Sequence, residues 1–169
     1  KIVDLSPLKS LLAMEVLEAS DNRISDVSAL TKLTRMKVLH LKKNAISDIA
    51  PLEKLTRLIS LDLEQNQIEE VEAIRGMREL NWLALGINRI RKIESLAGLS
   101  RLRHLYLERN RLNGASLQPI EGLRVMRTLS LRGNQVDDIS PLIGMKQMSW
   151  LELDDNRIMD VSPLADMVL

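Results

Sequence analysis

Five side chains in this 169-residue sequence carry an aromatic ring: His40, Trp82, His104, Tyr106 and Trp150, with no phenylalanine anywhere. Catalysis near neutral pH would have to start from the two histidines. A hydrolytic triad needs a hydroxyl, a histidine and an acid converging in one pocket. His104 has Thr128 beside it by spacing but no lateral carboxylate. His40 falls 22 residues after Glu18 and 22 before Asp62, which reads either as a pH-sensitive histidine or as a surface ion-pair network. The acidic pairs Asp137-Asp138 and Asp154-Asp155 point apart on an extended chain and make no ready metal site. There is no cysteine, hence no thiol nucleophile, disulfide framework or thiolate metal site. A glycine-rich phosphate loop is also missing from the sequence. The sequence therefore predicts no enzyme, no cofactor and no metal, and leaves the rings as binding groups.

What positions them is a repeat. Leu102, Leu105, Leu107 and Asn110 form the L-x-x-L-x-L-x-x-N skeleton of a leucine-rich repeat. Leu105 and Leu107 lie two apart, so on a strand both face one side, while His104, Tyr106 and Glu108 face the other. The asparagine recurs at Asn22, Asn44, Asn66, Asn88, Asn110, Asn134 and Asn156, every 22 residues except for 24 between Asn110 and Asn134. Stacked copies would align these amides in a ladder on a shared core, because one repeat cannot bury its apolar side alone. Residues 1–169 thus read as one array of about seven repeats, cut mid-repeat at both ends, with the 24-residue repeat starting near 102. Ile2, Leu5, Leu8 and Leu11 match the second half of a repeat, and Leu169 stands just before the next strand. The chain reads as a piece of a longer protein.

Past each strand a second phrase recurs, Asp-hydrophobic-Ser/Ala-Pro-Leu, at residues 4–8, 48–52, 138–142 and 160–164. Serine before proline favours the start of a helical turn, so a short 3-10 or α turn is expected on the convex side, capped by the serine. Residues 70–74 and 92–96 lack the proline and predict a more α-helical turn. The two extra residues fall around Asn113-Gly114-Ala115-Ser116 and predict a small bulge after the strand. Met14, Met36, Met126 and Met148, and Met77, Met145 and Met167, sit at inward phases as core; Met159 alone faces out.

Counted back from each asparagine, the outward positions at minus six hold Val16, Val38, Ser60, Trp82, His104, Thr128 and Trp150. At minus four stand Glu18, His40, Asp62, Ala84, Tyr106, Ser130 and Glu152, and at minus two Ser20, Lys42, Glu64, Gly86, Glu108, Arg132 and Asp154. Every ring lies in these rows. With strands about 4.8 Å apart, Trp82 neighbours His104, Tyr106 follows on the same strand, and small Ala84 and Gly86 leave a recess between them. Arg103, Arg127 and Arg132, with Glu108 among them, give this patch an arginine-rich flank suited to an acidic or mixed partner. Trp150 is a second anchor two strands on. Trp and Tyr dominate binding hot spots, so the patch is expected to bind a protein; incidental exposed rings are the plainer alternative. Lys plus Arg and Asp plus Glu nearly cancel, 24 against 23, and are interspersed, which argues against nucleic acid. No apolar run is long enough to insert in a membrane.

Asn44-Ala-Ile-Ser-Asp-Ile-Ala-Pro-Leu52 and Asn134-Gln-Val-Asp-Asp-Ile-Ser-Pro-Leu142 resemble the repeats of the internalin family of Gram-positive surface proteins. The resemblance implies an α/β fold: a right-handed solenoid, or horseshoe, with a parallel β-sheet on the concave face and short 3-10 or α turns on the convex face. It also implies a secreted or surface-bound bacterial adhesin that recognises a host or other receptor on its concave side; the array itself is expected to be monomeric within its longer chain. An N-terminal cap and an Ig-like segment, which family members carry, would lie outside this chain. Asn88-Arg-Ile-Arg-Lys-Ile-Glu-Ser-Leu-Ala-Gly-Leu99 is instead similar to intracellular phosphatase-regulatory and axonemal scaffolds, implying a cytoplasmic partner. Both readings use the same face.

Overall fold

The structure, a computed structural model, describes residues 1–165 and 167; Leu169, which the sequence places just before a further strand, lies outside them. Seven three-residue strands form one parallel sheet in sequence order. They are β1 (Val16–Glu18), β2 (Val38–His40), β3 (Ser60–Asp62), β4 (Trp82–Ala84), β5 (His104–Tyr106), β6 (Thr128–Ser130) and β7 (Trp150–Glu152). Each strand pairs with the equivalent residues of the next, Leu83 with Leu105 and Leu105 with Leu129. The register thus absorbs the 24-residue repeat without a slip. A slip of one residue would have turned the leucines outward.

The central leucines Leu39, Leu61, Leu83, Leu105 and Leu129 have no exposed surface, and the core they begin runs unbroken along the array. The expected ladder is present. Asn88 donates to the carbonyls of Leu85 (3.0 Å), Gly86 (3.2 Å) and, one repeat back, Leu63 (2.9 Å), and accepts from the Ile68 N–H (2.9 Å). The other six asparagines make the same kind of bonds, so the backbone at the corner after each strand is satisfied by side chains. The residue before each asparagine is left-handed at six non-glycine positions, Asp21, Lys43, Gln65, Ile87, Arg109 and Asp155, and at Gly133. Met36, Met77, Met126, Met145 and Met148 are buried, Met14 and Met167 pack against the core, and Met159 is 99% exposed.

The convex side corrects three expectations. Residues Glu72–Ile74 and Glu94–Leu96 form the same single 3-10 turn as the proline-bearing repeats, because a 22-residue period leaves no length for a longer helix. Serine does not cap these turns. It is their first residue, and the capping oxygen comes from the aspartate two positions earlier: Asp26 accepts from the Ser28 N–H (2.8 Å) and Oγ (3.0 Å), and Asp4, Asp138 and Asp160 do the same. The two extra residues do not bulge the sheet edge. They lengthen the turn to Gly114–Ile120, opened by Asn113, which accepts from the Ser116 N–H (3.1 Å) while Ser116 Oγ accepts from the Asn113 N–H (3.3 Å).

Candidate protein-binding face

On a strand whose leucine faces the core, the flanking residues must face out. Trp82, His104, Tyr106 and Trp150 therefore project from the exposed side of β4, β5 and β7, and His40 from β2. Sequence spacing predicts two ring sites; the structure joins them into one row. The His40 and Trp82 ring centroids are 5.9 Å apart, those of Trp82 and Tyr106 5.6 Å, and those of Tyr106 and Trp150 6.2 Å with the rings edge to face. Spacings of this size are those aromatic pairs favour. The row crosses six strands because those between carry small residues. Ser60 on β3 lets His40 lean toward Trp82, and Thr128 and Ser130 on β6 let Tyr106 meet Trp150. Trp150 remains 50% exposed.

Two predicted members of the patch behave differently. His104 pairs with Trp82 in the sheet register but bonds sideways, Nδ1 lying 3.0 Å from Thr128 Oγ1. Burial, with help from Arg127 and Arg103, holds its imidazole below the ordinary histidine range. It is a support beside the row, held sideways by Thr128. The expected recess is filled: Ala84 is 2% exposed, and a Cβ added to Gly86 would collide with the Glu108 carboxylate, which lies over it.

The charges also sort themselves. Arg103 and Arg127 are exposed just before β5 and β6, at the N-terminal margin of the sheet. Arg132 lies past β6 at the opposite margin and turns toward Asp155 (3.6 Å). The predicted arginine flank is thus divided, and beside the rings it is carboxylates that gather: Asp62, Glu64, Glu108 and Glu152, of which spacing places only Glu108 in the ring patch, with Asp62 beside His40 and Glu152 at an acidic end. The outward rows contained the others all along, but which carboxylate reaches a ring depends on the small residues between. Burial, with the charges of Glu64 and Glu152 adding to it, pushes the Glu108 carboxyl above the usual carboxylate range, opposed by its own backbone N–H and by the Ser130 hydroxyl. Burial does the same to Asp62. His40 sits between Glu18 and Asp62 in register, yet its nearest partner is Ser60 Oγ at 3.0 Å, with Glu18 at 3.7 Å. Asp62 instead accepts from the Glu64 N–H (3.0 Å).

The leucine-rich repeat family matches residues 13–53 and 34–76 as two-copy units and 69–112 as a further repeat. None of the curated proteins matches the sequence. Among solved structures, an internalin of Listeria monocytogenes, InlF, superposes with a TM-score of 0.95 at 30% identity, over 99% of this chain and 49% of its own. Internalin C2 of the same organism superposes with a TM-score of 0.93 at 33% identity, over 98% of this chain and 73% of its own. The chain therefore spans about half of the first and about three quarters of the second. A plant peptide hormone receptor, solved in complex with RGF2, shares the fold with a TM-score of 0.80 at 19% identity, over 91% of this chain and 26% of its own. Arrays of this kind, receptors among them, serve generally as protein-interaction modules. With repeats matched over more than half its length and an internalin one third identical across nearly all of it, this chain belongs to the internalin-like leucine-rich repeat proteins.

Proposed function

We propose that this chain is a non-catalytic module that holds a protein partner on its concave sheet, with Trp82, Tyr106 and Trp150 as the anchors. The observation that carries this reading is the continuous ring row, aligned across six strands on the exposed side. The core takes only leucine, isoleucine, valine, methionine and alanine, which explains why rings are kept out of it but not why all of them collect on one face. A folded chain has no use for an exposed tryptophan beside a tyrosine, whereas an interface gains a large buried area at low entropic cost. Kinship with internalins supports a secreted or surface-bound bacterial adhesin whose partner is a receptor. Residues 88–99, whose sequence is similar to intracellular scaffolds, fold into the same 3-10 turn as their neighbours and so add nothing for a cytoplasmic partner.

The test is capture from separate cell-surface and cytosolic pools, with parent and Trp82→Ala/Tyr106→Ala arrays as bait. Loss of two central rings is expected to weaken the complex by at least about 2 kcal/mol, roughly thirty-fold. A surface protein that binds both baits equally moves the interface off the concave row, and one recovered only from cytosol removes the adhesin reading.

A further inference from the structure

The surroundings of the ring row carry a sign. Along the flanks of the array, acids are matched by a cation on the next repeat: Glu15 by Lys37 (2.7 Å), Asp21 by Lys43 (2.5 Å), Glu69 by Arg89 (3.8 Å) and Glu79 by Arg101. At the row this matching stops. Glu64 has Lys42 (2.7 Å), but among the described residues Asp62, Glu108 and Glu152 have no cation within 4.0 Å. Among the described residues, acids of the convex side that also have no cation within 4.0 Å, such as Glu53 and Glu121, are exposed. The three at the row are half-buried. Ser130 Oγ donates to Glu152 (2.8 Å) and the Glu64 N–H to Asp62. Glu108 Oε2, over Gly86 and next to Tyr106 on the same chain segment, is shielded from solvent and accepts nothing. A shielded carboxylate oxygen without a donor is costly, and the cost is recovered only when a donor arrives.

Resting on the reading of the row as a protein-binding face, we propose that its partner is a basic segment, laid across the concave sheet with an arginine or lysine over Trp82 and Tyr106 and its cation against Glu108 and Asp62. A guanidinium fits this setting on two counts. Its planar face stacks on Trp and Tyr rings, and its N–H fork bonds carboxylates in pairs. Arrival of the partner excludes water, which strengthens both contacts. Arg103 and Arg127, exposed one residue before β5 and β6, place positive charge beside His104 at the N-terminal margin, at the opposite end of the strands from the minus-two row that holds Glu64 and Glu108. Lys42, whose ammonium also faces Asp62 and Glu108 as well as its partner Glu64, offsets one of four negative charges.

A displayed library of random short peptides, selected on the 169-residue chain, separates this inference from the reading beneath it. Selected peptides are synthesised and titrated by tryptophan fluorescence against the parent, Trp82→Ala/Tyr106→Ala, Trp150→Ala, Glu108→Gln and, as a same-charge control on the convex side, Glu53→Gln. Trp150, half-exposed, guards against a double variant that folds poorly. Ring-dependent peptides rich in Arg and Lys, weakened about tenfold by Glu108→Gln through the loss of a charge-assisted bond and untouched by Glu53→Gln, are the expected result. Ring-dependent peptides that are acidic or neutral, or that bind Glu108→Gln as well as the parent, overturn the basic partner and leave the ring face standing. Peptides that bind both ring variants as well as the parent, or none selected at all, overturn both.

Discussion

The two sides of the same seven strands follow opposite rules. Toward the core, one strand can stand for all: Leu39, Leu61, Leu83, Leu105 and Leu129 are interchangeable in position and burial, and each is followed by an asparagine making the same bonds. Toward the concave side, no two strands carry the same pair: Val38 and His40, Ser60 and Asp62, Trp82 and Ala84, His104 and Tyr106. A side that repeats is explained by stacking alone, since every repeat must present the same surface to the next. One that never repeats is not needed for stacking. Stability and recognition are therefore carried by alternate residues of one strand, and substitutions on the two sides are expected to separate them.

The sharpest contrast is between neighbours in the sheet. Leu105→Ala, fully buried, is expected to cost about 3 kcal/mol of unfolding free energy, from lost burial and the cavity left behind. Trp150→Ala removes a larger side chain, yet one half-exposed on the outer side, and is expected to stay within about 0.5 kcal/mol. Denaturant melts of both decide the matter. A Trp150→Ala array that unfolds as early as Leu105→Ala would mean that the ring row is part of the folding core and would break the division.

Next is the ladder. Asn88→Ala leaves the Ile68 N–H without its acceptor, while the Leu63 and Leu85 carbonyls each lose one of two amide donors and keep that of Asn66 or Asn110, and about 2 kcal/mol of destabilisation is expected. In an array the damage is local, so hydrogen exchange should quicken at Ile68 and Leu85 first and leave the end repeats near their parent rates. Uniform loss of protection would show that the array unfolds as a single unit.

The same division explains what could be read from the sequence. Period, register, core phases and the outward rows follow from residue spacing, because they depend on position along one repeat and its copy. Failures came where the outcome depends on contacts across strands. Trp150 joins Tyr106 over Thr128 and Ser130, and Glu108 reaches sideways to fill the space over Gly86; neither follows from residue type and position within a strand. Nor does the capping aspartate announce itself. Asp26 and Ser28 are both good capping residues, and which one caps depends on where the turn begins.

Ile87 sits at the corner between the two sides and belongs to both. Its left-handed backbone, φ 54°, is that of every repeat, but its side chain is not. Asp, Lys, Gln, Arg and Gly hold the equivalent places, and a β-branched residue there is strained. Ile87→Asn is expected to raise stability by about 1 kcal/mol, since asparagine tolerates this conformation best among non-glycine residues. No gain in a thermal melt would mean that packing of the half-buried isoleucine offsets its strain.

The smallest effect, and the one that bears most on the outer side, is at Glu108. Its folded carboxyl binds a proton more readily than the unfolded one, so its charge opposes folding above the folded value and ceases to do so below the unfolded value. Glu108→Gln is then expected to melt slightly above the parent at neutral pH, discounted because the group is only half-buried, with the gap closing on acidification. Asp26 has the opposite sign. Backbone and hydroxyl bonds from Ser28 hold it below the usual range, so it favours folding at neutral pH and stops doing so as the pH falls through its folded value; Asp26→Asn should melt below the parent, and that gap should also close in acid. The groups facing Glu108 are Glu64, Glu152, Lys42 and Ser130, so a parallel titration of Glu64→Gln tests whether like charge adds to burial. If Glu108→Gln melts below the parent, the carboxylate is bonded within the folded array, and its place on the binding side is structural after all.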